Sequence, residues 1–183
     1  MRHPGSAGTA GKGQDTMKII VVKGYKKTGK TTTCTQLIGE LVRRGYSVGS
    51  SKDTHFEGFA MDRPGTDSHR HACAGASTVI ISGPEETDVL YQRRVEIRDL
   101  LHLYTEDWVV CEGGIGLQVP NVVTGKTTED LDRRMDENTI AFAGIIAGDL
   151  TQYRDLPVIS AVTEIEKLTD LIEDSCVDFS GGE

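Results

Sequence analysis

The sequence contains no long apolar run and few aromatic residues. Phe, Trp and Tyr together make up 5% of its 183 residues, with a single tryptophan. A membrane-spanning helix needs about 20 consecutive apolar residues, and no segment approaches that length. The first sixteen residues also lack the apolar stretch of a secretory signal. We therefore expect no membrane partner and a cytoplasmic location.

Cysteine pairs and clustered positive charge are absent as well. The four cysteines, Cys34, Cys73, Cys111 and Cys176, form no Cys-x-x-Cys pair, which argues against a zinc ribbon or a disulfide framework. The formal net charge is −8, and no stretch is strongly basic. A nucleic-acid surface requires clustered Lys and Arg. The sequence therefore favours a nucleotide or another protein as the partner and predicts no nucleic-acid partner.

Length and composition indicate one folded domain. A chain of 183 residues fits the usual domain size of about 100–200 residues. Residues 1–16 are rich in Gly, Ala, Ser and Thr, so they cannot bury apolar surface and are expected to be a disordered leader or an expression remnant. We assign the nucleotide-binding domain to residues 17–176 and a flexible tail to residues 177–183.

The most informative feature is a glycine-rich loop. Residues 24–31 read Gly-Tyr-Lys-Lys-Thr-Gly-Lys-Thr, which matches the G-x-x-x-x-G-K-[ST] pattern of a phosphate-binding loop. In this pattern Lys30 reaches the β- and γ-phosphates, and the Thr31 hydroxyl ligates Mg²⁺. An apolar strand precedes the loop and an amphipathic helix follows it. The predicted nucleotide-binding residues are Gly24, Tyr25, Lys26, Lys27, Thr28, Gly29, Lys30, Thr31 and Thr32.

Further segments predict strands that alternate with helices. Strands are predicted at 18–23, 46–52, 77–82, 88–91, 108–114, 140–147 and 156–160. Helices are predicted at 31–44, at 67–76 with Asp67 or Ser68 as its cap, at 93–104, and from 165 onwards. Residues 53–66 and 116–137 read as irregular. This order indicates an α/β, three-layer P-loop NTPase fold with a mostly parallel sheet and helices on both faces.

Two acids follow predicted strands at the edge of the sheet where ligands bind. Glu112 ends a buried strand, where a carboxylate can hold Mg²⁺ or polarise an attacking water. Asp53 takes the equivalent place after the second strand. The catalytic candidates are therefore Lys30, Asp53 and Glu112, and the metal-ligand candidates are Thr31 and Glu112. A solvated turn residue is the alternative interpretation of each acid.

A histidine-rich segment allows a second kind of site to be considered. His55, His69 and His71 precede Cys73, and on a helix His69 and Cys73 would share a face. A transition-metal site is one interpretation, and solvated or hydrogen-bonded histidines are the commoner one. A second set of residues, either anion ligands or a solvated helix face, consists of Arg93, Arg94 and Arg98.

Three segments resemble the MobB family, the molybdopterin-guanine dinucleotide biosynthesis protein B group of P-loop proteins. They are the loop with Thr32; residues 61–71, Met-Asp-Arg-Pro-Gly-Thr-Asp-Ser-His-Arg-His, with Ala-Gly-Ala at 74–76; and residues 109–113, Val-Val-Cys-Glu-Gly. Order and spacing agree from about Lys18 to Glu173. The chain departs from the family's pattern twice. Lys52-Asp53 stands where Lys-His is usual, and residues 114–120 replace a short basic segment.

The resemblance implies a GTP-binding protein with weak intrinsic hydrolysis that assists molybdenum cofactor biosynthesis. It implies a homodimer that works with the guanylyltransferase that attaches GMP to molybdopterin, with molybdoenzyme apoproteins as further partners. GTP and Mg²⁺ are the implied cofactors. Asp149, after the strand at 140–147, is a candidate to accept hydrogen bonds from guanine, although no Asn/Thr-Lys-x-Asp signature is present.

Three other functions stay open on the sequence. A metal-delivery GTPase or metallochaperone would use the histidine-rich segment. A small-molecule P-loop kinase would need an acceptor pocket and an arginine-rich lid. A non-catalytic adaptor would use the nucleotide as a structural switch. The sequence thus leaves open whether the protein is an enzyme with weak Mg²⁺-dependent GTPase activity.

Overall fold

The computed structural model describes residues 16–54, 56, 58–114 and 116–179, so residues 1–15 of the predicted leader lie outside the described residues. The strands are β1 (Met17–Gly24), β2 (Val48–Lys52), β3 (Thr78–Ser82), β4 (Thr87–Tyr91), β5 (Trp108–Glu112), β6 (Asn121–Thr124), β7 (Thr139–Ala143), β8 (Gln152–Tyr153), β9 (Leu156–Pro157) and β10 (Asp178–Phe179). The α-helices are α1 (Lys30–Arg43), α2 (Asp67–Cys73), α3 (Thr128–Asp132) and α4 (Ile165–Ser175). Two 3₁₀ helices span Ile97–Leu103 and Ile145–Gly148.

The central sheet is parallel and has the strand order β2-β5-β1-β6-β7. Strand β10 adds a short antiparallel pairing at the start of β1, where Phe179 lies opposite Met17. Because parallel strands point the same way, the loops after β1, β2, β5, β6 and β7 all leave from one edge. The predicted α/β fold with a mostly parallel sheet is confirmed.

Both faces of the sheet are covered. On one face, Leu37 and Leu41 of α1 pack with Leu168 and Ile172 of α4, and all four are fully buried. On the other face, Leu101 of the first 3₁₀ helix covers β1 and β5, and buried side chains around α3 cover β6 and β7. Burial on both faces explains the uniformly apolar β5, whose first four residues are at most 1% exposed.

Ion pairs tie the helix after the loop to the last helix. Glu40 of α1, nearly buried, accepts hydrogen bonds from Arg43 and Arg44 at 2.7 and 2.8 Å. These bonds lower the pKa of Glu40 to about 2. Arg44 also pairs with Asp170 of α4 at 2.7 Å. The network ties the C-terminal end of α1 to α4.

Several local predictions were wrong or incomplete. The strands predicted at 77–82 and 88–91 form as β3 and β4, but they pair with each other in an antiparallel hairpin outside the central sheet. The predicted helix at 93–104 is a 3₁₀ helix, and the segment 116–137 contains β6 and α3. The strand expected at 156–160 is reduced to β9, which pairs with β8. Thr66, rather than Asp67 or Ser68, caps α2 by accepting a hydrogen bond from the backbone N–H of His69 at 3.2 Å.

These errors share a physical cause. Strand β6 has only four residues, between Pro120 and Gly125, so its burial depends on β1 and β7 rather than on a local pattern. The segment expected to be a tail also begins with β10, whose position comes from pairing with β1.

Within the described ranges, none of the helices has the length and apolar character needed to cross a membrane.

Candidate functional site

The glycine-rich loop joins β1 to α1 in a conformation that depends on its two glycines. Gly24 and Gly29 have φ angles of 150° and 106°, and Lys27 between them has φ 63°. A Cβ atom at Gly24 would lie 2.3 Å from the Thr124 hydroxyl oxygen. Helix α1 begins directly after Gly29 and has no acidic residue in its first turn, so its N-terminal N–H groups and partial positive charge suit an anion.

The loop is held in place by the ends of β6 and β7. The buried Thr28 hydroxyl lies 2.8 Å from the Thr124 hydroxyl, and Thr124 donates to the carbonyl of Lys23 at 3.0 Å. After β7, the Ile145 N–H donates to the Thr28 carbonyl at 3.2 Å. Gly144 has φ 90°, and a Cβ there would lie 2.2 Å from the Thr28 carbonyl oxygen. The neighbouring strands therefore set the shape of the loop.

Lys30 folds back over the loop. Its ammonium group donates a hydrogen bond to the carbonyl of Tyr25 at 2.6 Å. Burial lowers the pKa of Lys30; the nearby carboxylate of Glu112 raises this pKa. The positive charges of Lys52 and Arg134 lower the pKa of Lys30 further. A bound anion would relieve this repulsion and restore the stability of the charged form.

Thr31 and Glu112 meet at the start of α1. The Thr31 hydroxyl lies 2.8 and 3.0 Å from the two Glu112 carboxylate oxygens. Lys52, which pairs with Glu112 across β2 and β5, donates to the same two oxygens at 3.1 and 3.2 Å. Octahedral Mg²⁺ with ligands at about 2.0–2.1 Å places neighbouring ligand oxygens about 3 Å apart. The Thr31 and Glu112 oxygens therefore fit two adjacent positions around Mg²⁺.

The second acidic candidate lies beside this pair. The Asp53 backbone N–H donates to the Glu112 carbonyl at 3.0 Å, so the two residues are neighbours at the sheet edge. The Asp53 carboxylate accepts a hydrogen bond from Arg94 at 3.0 Å. This ion pair raises the pKa of Arg94. Arg94 thus reaches the rim of the site from the segment between β4 and the first 3₁₀ helix.

The remaining predicted nucleotide contacts lie at the outer side of the loop and after β7. Thr32 is exposed in the first turn of α1, and Lys27 is exposed in the loop. The Lys26 ammonium lies 5.2 Å from the Phe56 ring centre. Asp149 is exposed after β7, and its backbone N–H donates to the Ile146 carbonyl at 3.0 Å. Its carboxylate is thus at the same sheet edge as the loop.

The histidine-rich segment contributes a pair of side chains rather than a cluster. His69 Nε2 lies 3.5 Å from Cys73 Sγ on α2, as the helical spacing predicted, and His55 lies outside the described residues. Where the structure describes the chain, no group of three or more His, Cys, Asp or Glu side chains is arranged to hold a metal.

Four residues shape the site although the sequence predicted no role there for them: Lys52, Thr124, Arg134 and Gly144. Lys52 could have been found as a cation at the end of a strand beside Asp53. Thr124 and Gly144 support the loop only because β6 and β7 lie next to it, and that adjacency is a tertiary property. Arg134 has no local signal, since it follows a short helix in a segment that reads as irregular.

Comparison with known proteins identifies relatives of this chain. Residues 19–145 match the family described as Molybdopterin guanine dinucleotide synthesis protein B. The molybdopterin-guanine dinucleotide biosynthesis adapter protein of Escherichia coli (strain K12) is 26% identical over 87% of this chain and 94% of its own length. The probable adapter protein of the same name from Bacillus subtilis (strain 168) is 26% identical over 78% of this chain and 85% of its own length. The crystal structure of Bacillus subtilis MobB has a TM-score of 0.69 at 24% identity, covering 88% of this chain and 99% of that one.

The contact between Gly144 and the loop generates a stability prediction. Gly144→Ala should lower the unfolding free energy by more than about 1–2 kcal/mol, because its left-handed φ disfavours a side chain and its Cβ would overlap the Thr28 carbonyl. Gly148→Ala is the matched control, since a Cβ there has no neighbour within 4 Å. Urea denaturation of both variants measures the difference. Equal stability of the two variants would contradict the described contact.

Proposed function

We propose that this chain, which belongs to the Molybdopterin guanine dinucleotide synthesis protein B family, is a GTP·Mg²⁺-binding adapter in the synthesis of that dinucleotide. Two curated relatives carry the name of molybdopterin-guanine dinucleotide biosynthesis adapter protein. The proposal for this chain depends above all on one observation. Lys30, Thr31 and Glu112 converge at the N-terminus of α1 behind a loop of the phosphate-binding pattern.

The proposed phosphate site uses the loop backbone and one lysine. The N–H groups of residues 24–31 and of the first turn of α1 would surround the phosphates. Lys30 would leave the Tyr25 carbonyl and neutralise phosphate charge. Thr31 and Glu112 would hold Mg²⁺, whose role when bound is to neutralise charge on the phosphate oxygens. Lys52 holds the Glu112 carboxylate in place next to Thr31.

The same geometry supports slow rather than rapid hydrolysis. Rapid phosphoryl transfer to water requires a group that orients the attacking water. Asp53 is the candidate for this role, but Arg94 already engages one of its carboxylate oxygens at 3.0 Å. We therefore propose that nucleotide turnover is weak and that binding, rather than hydrolysis, is the main activity.

Asp149 is the residue proposed to distinguish guanine from adenine. An exposed carboxylate after β7 can accept two hydrogen bonds from the N1–H and N2–H groups of guanine, whereas adenine presents no such pair of donors. This residue is therefore proposed to favour GTP over ATP. Because GTP is a cytoplasmic nucleotide, we propose a cytoplasmic location.

The proposed partners are the guanylyltransferase that attaches GMP to molybdopterin, molybdoenzyme apoproteins, and a second copy of this chain. The β3–β4 hairpin supports the homodimer. An isolated two-stranded sheet is marginally stable in water. Ile80 and Val89 are direct cross-strand partners in this hairpin, and they are 66% and 41% exposed. A second copy that covers this face would bury the pair and stabilise the hairpin.

Nucleotide binding should depend on Lys30. Lys30→Ala should weaken GTP binding by at least about tenfold to hundredfold, because it removes a charge-assisted contact to phosphate. Lys167→Ala, which changes an exposed lysine on α4, should bind like the wild type. Isothermal titration calorimetry gives the affinities, and circular dichroism checks the fold. Unchanged affinity in Lys30→Ala would remove the loop from the proposed site.

Dimer formation should depend on the hairpin face. Ile80→Asp should shift the protein to a monomer, because an aspartate cannot be buried without a partner. Val162→Asp is the matched control, since Val162 is 68% exposed and lies outside the hairpin. Light scattering coupled to gel filtration gives the molar mass of each variant. A dimer that persists in Ile80→Asp, or a wild-type monomer, would contradict this interface.

A further inference from the structure

Arg134 lies against the glycine-rich loop although it is distant from it in sequence. Its guanidinium carbon lies 4.3 Å from the centre of the Tyr25 ring, a distance at which a cation is attracted to the face of the ring. Tyr25 is the same residue whose carbonyl accepts the hydrogen bond from Lys30. Tyr25 therefore contacts two cations from different parts of the chain, Lys30 through its carbonyl and Arg134 through its ring.

The backbone around Arg134 is well anchored. The Arg134 N–H donates to the carbonyl of Leu131 at 3.0 Å, and Leu131 is the fully buried residue of α3. Two residues further on, Asp136 accepts a hydrogen bond from Asn121 at 2.8 Å and pairs with Lys23 at the end of β1. The Arg134 side chain thus extends from a fixed backbone towards the loop.

No carboxylate in the described part of the chain explains this position. Arg134 has no such partner there within ion-pair distance, whereas Arg44, Arg94 and Arg154 each have at least one. Arg134 is also near enough to Lys30 for their positive charges to repel each other. Cations held close together repel each other, and a bound polyanion would offset that repulsion.

We propose that Arg134 contacts the β- and γ-phosphates of the nucleotide held by the loop, as a second cation beside Lys30. This inference rests on the proposed nucleotide-binding function. The planar guanidinium of arginine presents parallel N–H donors that match two oxygens of a phosphate group. The Tyr25 ring positions the guanidinium at the loop before the nucleotide arrives, so less side-chain freedom is lost on binding.

The experiment compares three variants with the wild type for binding of GTP, GDP and GMP. Arg134→Ala should weaken GTP binding by about tenfold to hundredfold, as loss of a charged hydrogen bond does, and should affect GMP least because GMP has one phosphate. Arg134→Lys should recover part of the loss, since lysine keeps the positive charge but lacks the parallel N–H donors of the guanidinium group. Arg133→Ala is the matched control, because Arg133 is the adjacent arginine and is exposed like Arg134.

The outcomes separate this inference from the proposed function. A GTP affinity of Arg134→Ala within about twofold of Arg133→Ala would overturn the role of Arg134. An equal loss for all three nucleotides would also overturn it, because GMP lacks the β- and γ-phosphates that Arg134 is proposed to contact beside Lys30. Failure of the wild-type chain to bind any of the nucleotides would overturn the proposed function itself. If circular dichroism shows that Arg134→Ala does not fold, Arg134→Lys takes its place. Its affinities for GTP, GDP and GMP are then compared with those of Arg133→Ala, and the same two results would overturn the role of Arg134.

Discussion

The position of β1 between β5 and β6 in the parallel sheet is the constraint from which the site follows. Backbone pairing in register brings the loop after β1, Glu112 at the end of β5 and Thr124 at the end of β6 to one edge. Gly144 after β7 then closes against the loop. Each of these residues lies far from the others in sequence, so the site exists only when the sheet has formed.

Charges from different parts of the chain lie close together at this edge of the sheet. The positive charges of Lys52 and Arg134 lower the pKa of Lys30, and the Glu112 carboxylate raises it. Thr31 and Glu112 add oxygen ligands at a spacing that suits a hard divalent cation. In the proposed function, a nucleotide with its Mg²⁺ would supply negative charge and the metal at this edge. Nucleotide binding is therefore the activity that we propose.

The sequence predicted the parts of the fold and site that have a local physical signal. The loop, α1, β5 and Glu112 were found because glycine spacing, helical periodicity and uniformly apolar strands are local patterns. Strand β6 was missed because its burial comes from two neighbouring strands. Strand β3 was predicted, but its pairing with β4 outside the central sheet was not, because the composition of a strand does not show which strand it pairs with. Arg134 and Lys52 were given no role in the site because their importance depends on tertiary contacts.

The central claim is that Glu112 and Thr31 hold Mg²⁺ for a nucleotide bound at the loop. The most direct test measures GTP affinity with Mg²⁺ and with EDTA for the wild type, Glu112→Gln and Glu85→Gln, an exposed acid between β3 and β4. Glu112→Gln should keep the affinity seen in EDTA but lose most of the tightening by Mg²⁺, because a neutral amide oxygen holds a hard cation less well than a carboxylate. Glu85→Gln should behave like the wild type. An identical Mg²⁺ effect in the wild type and Glu112→Gln would contradict the account.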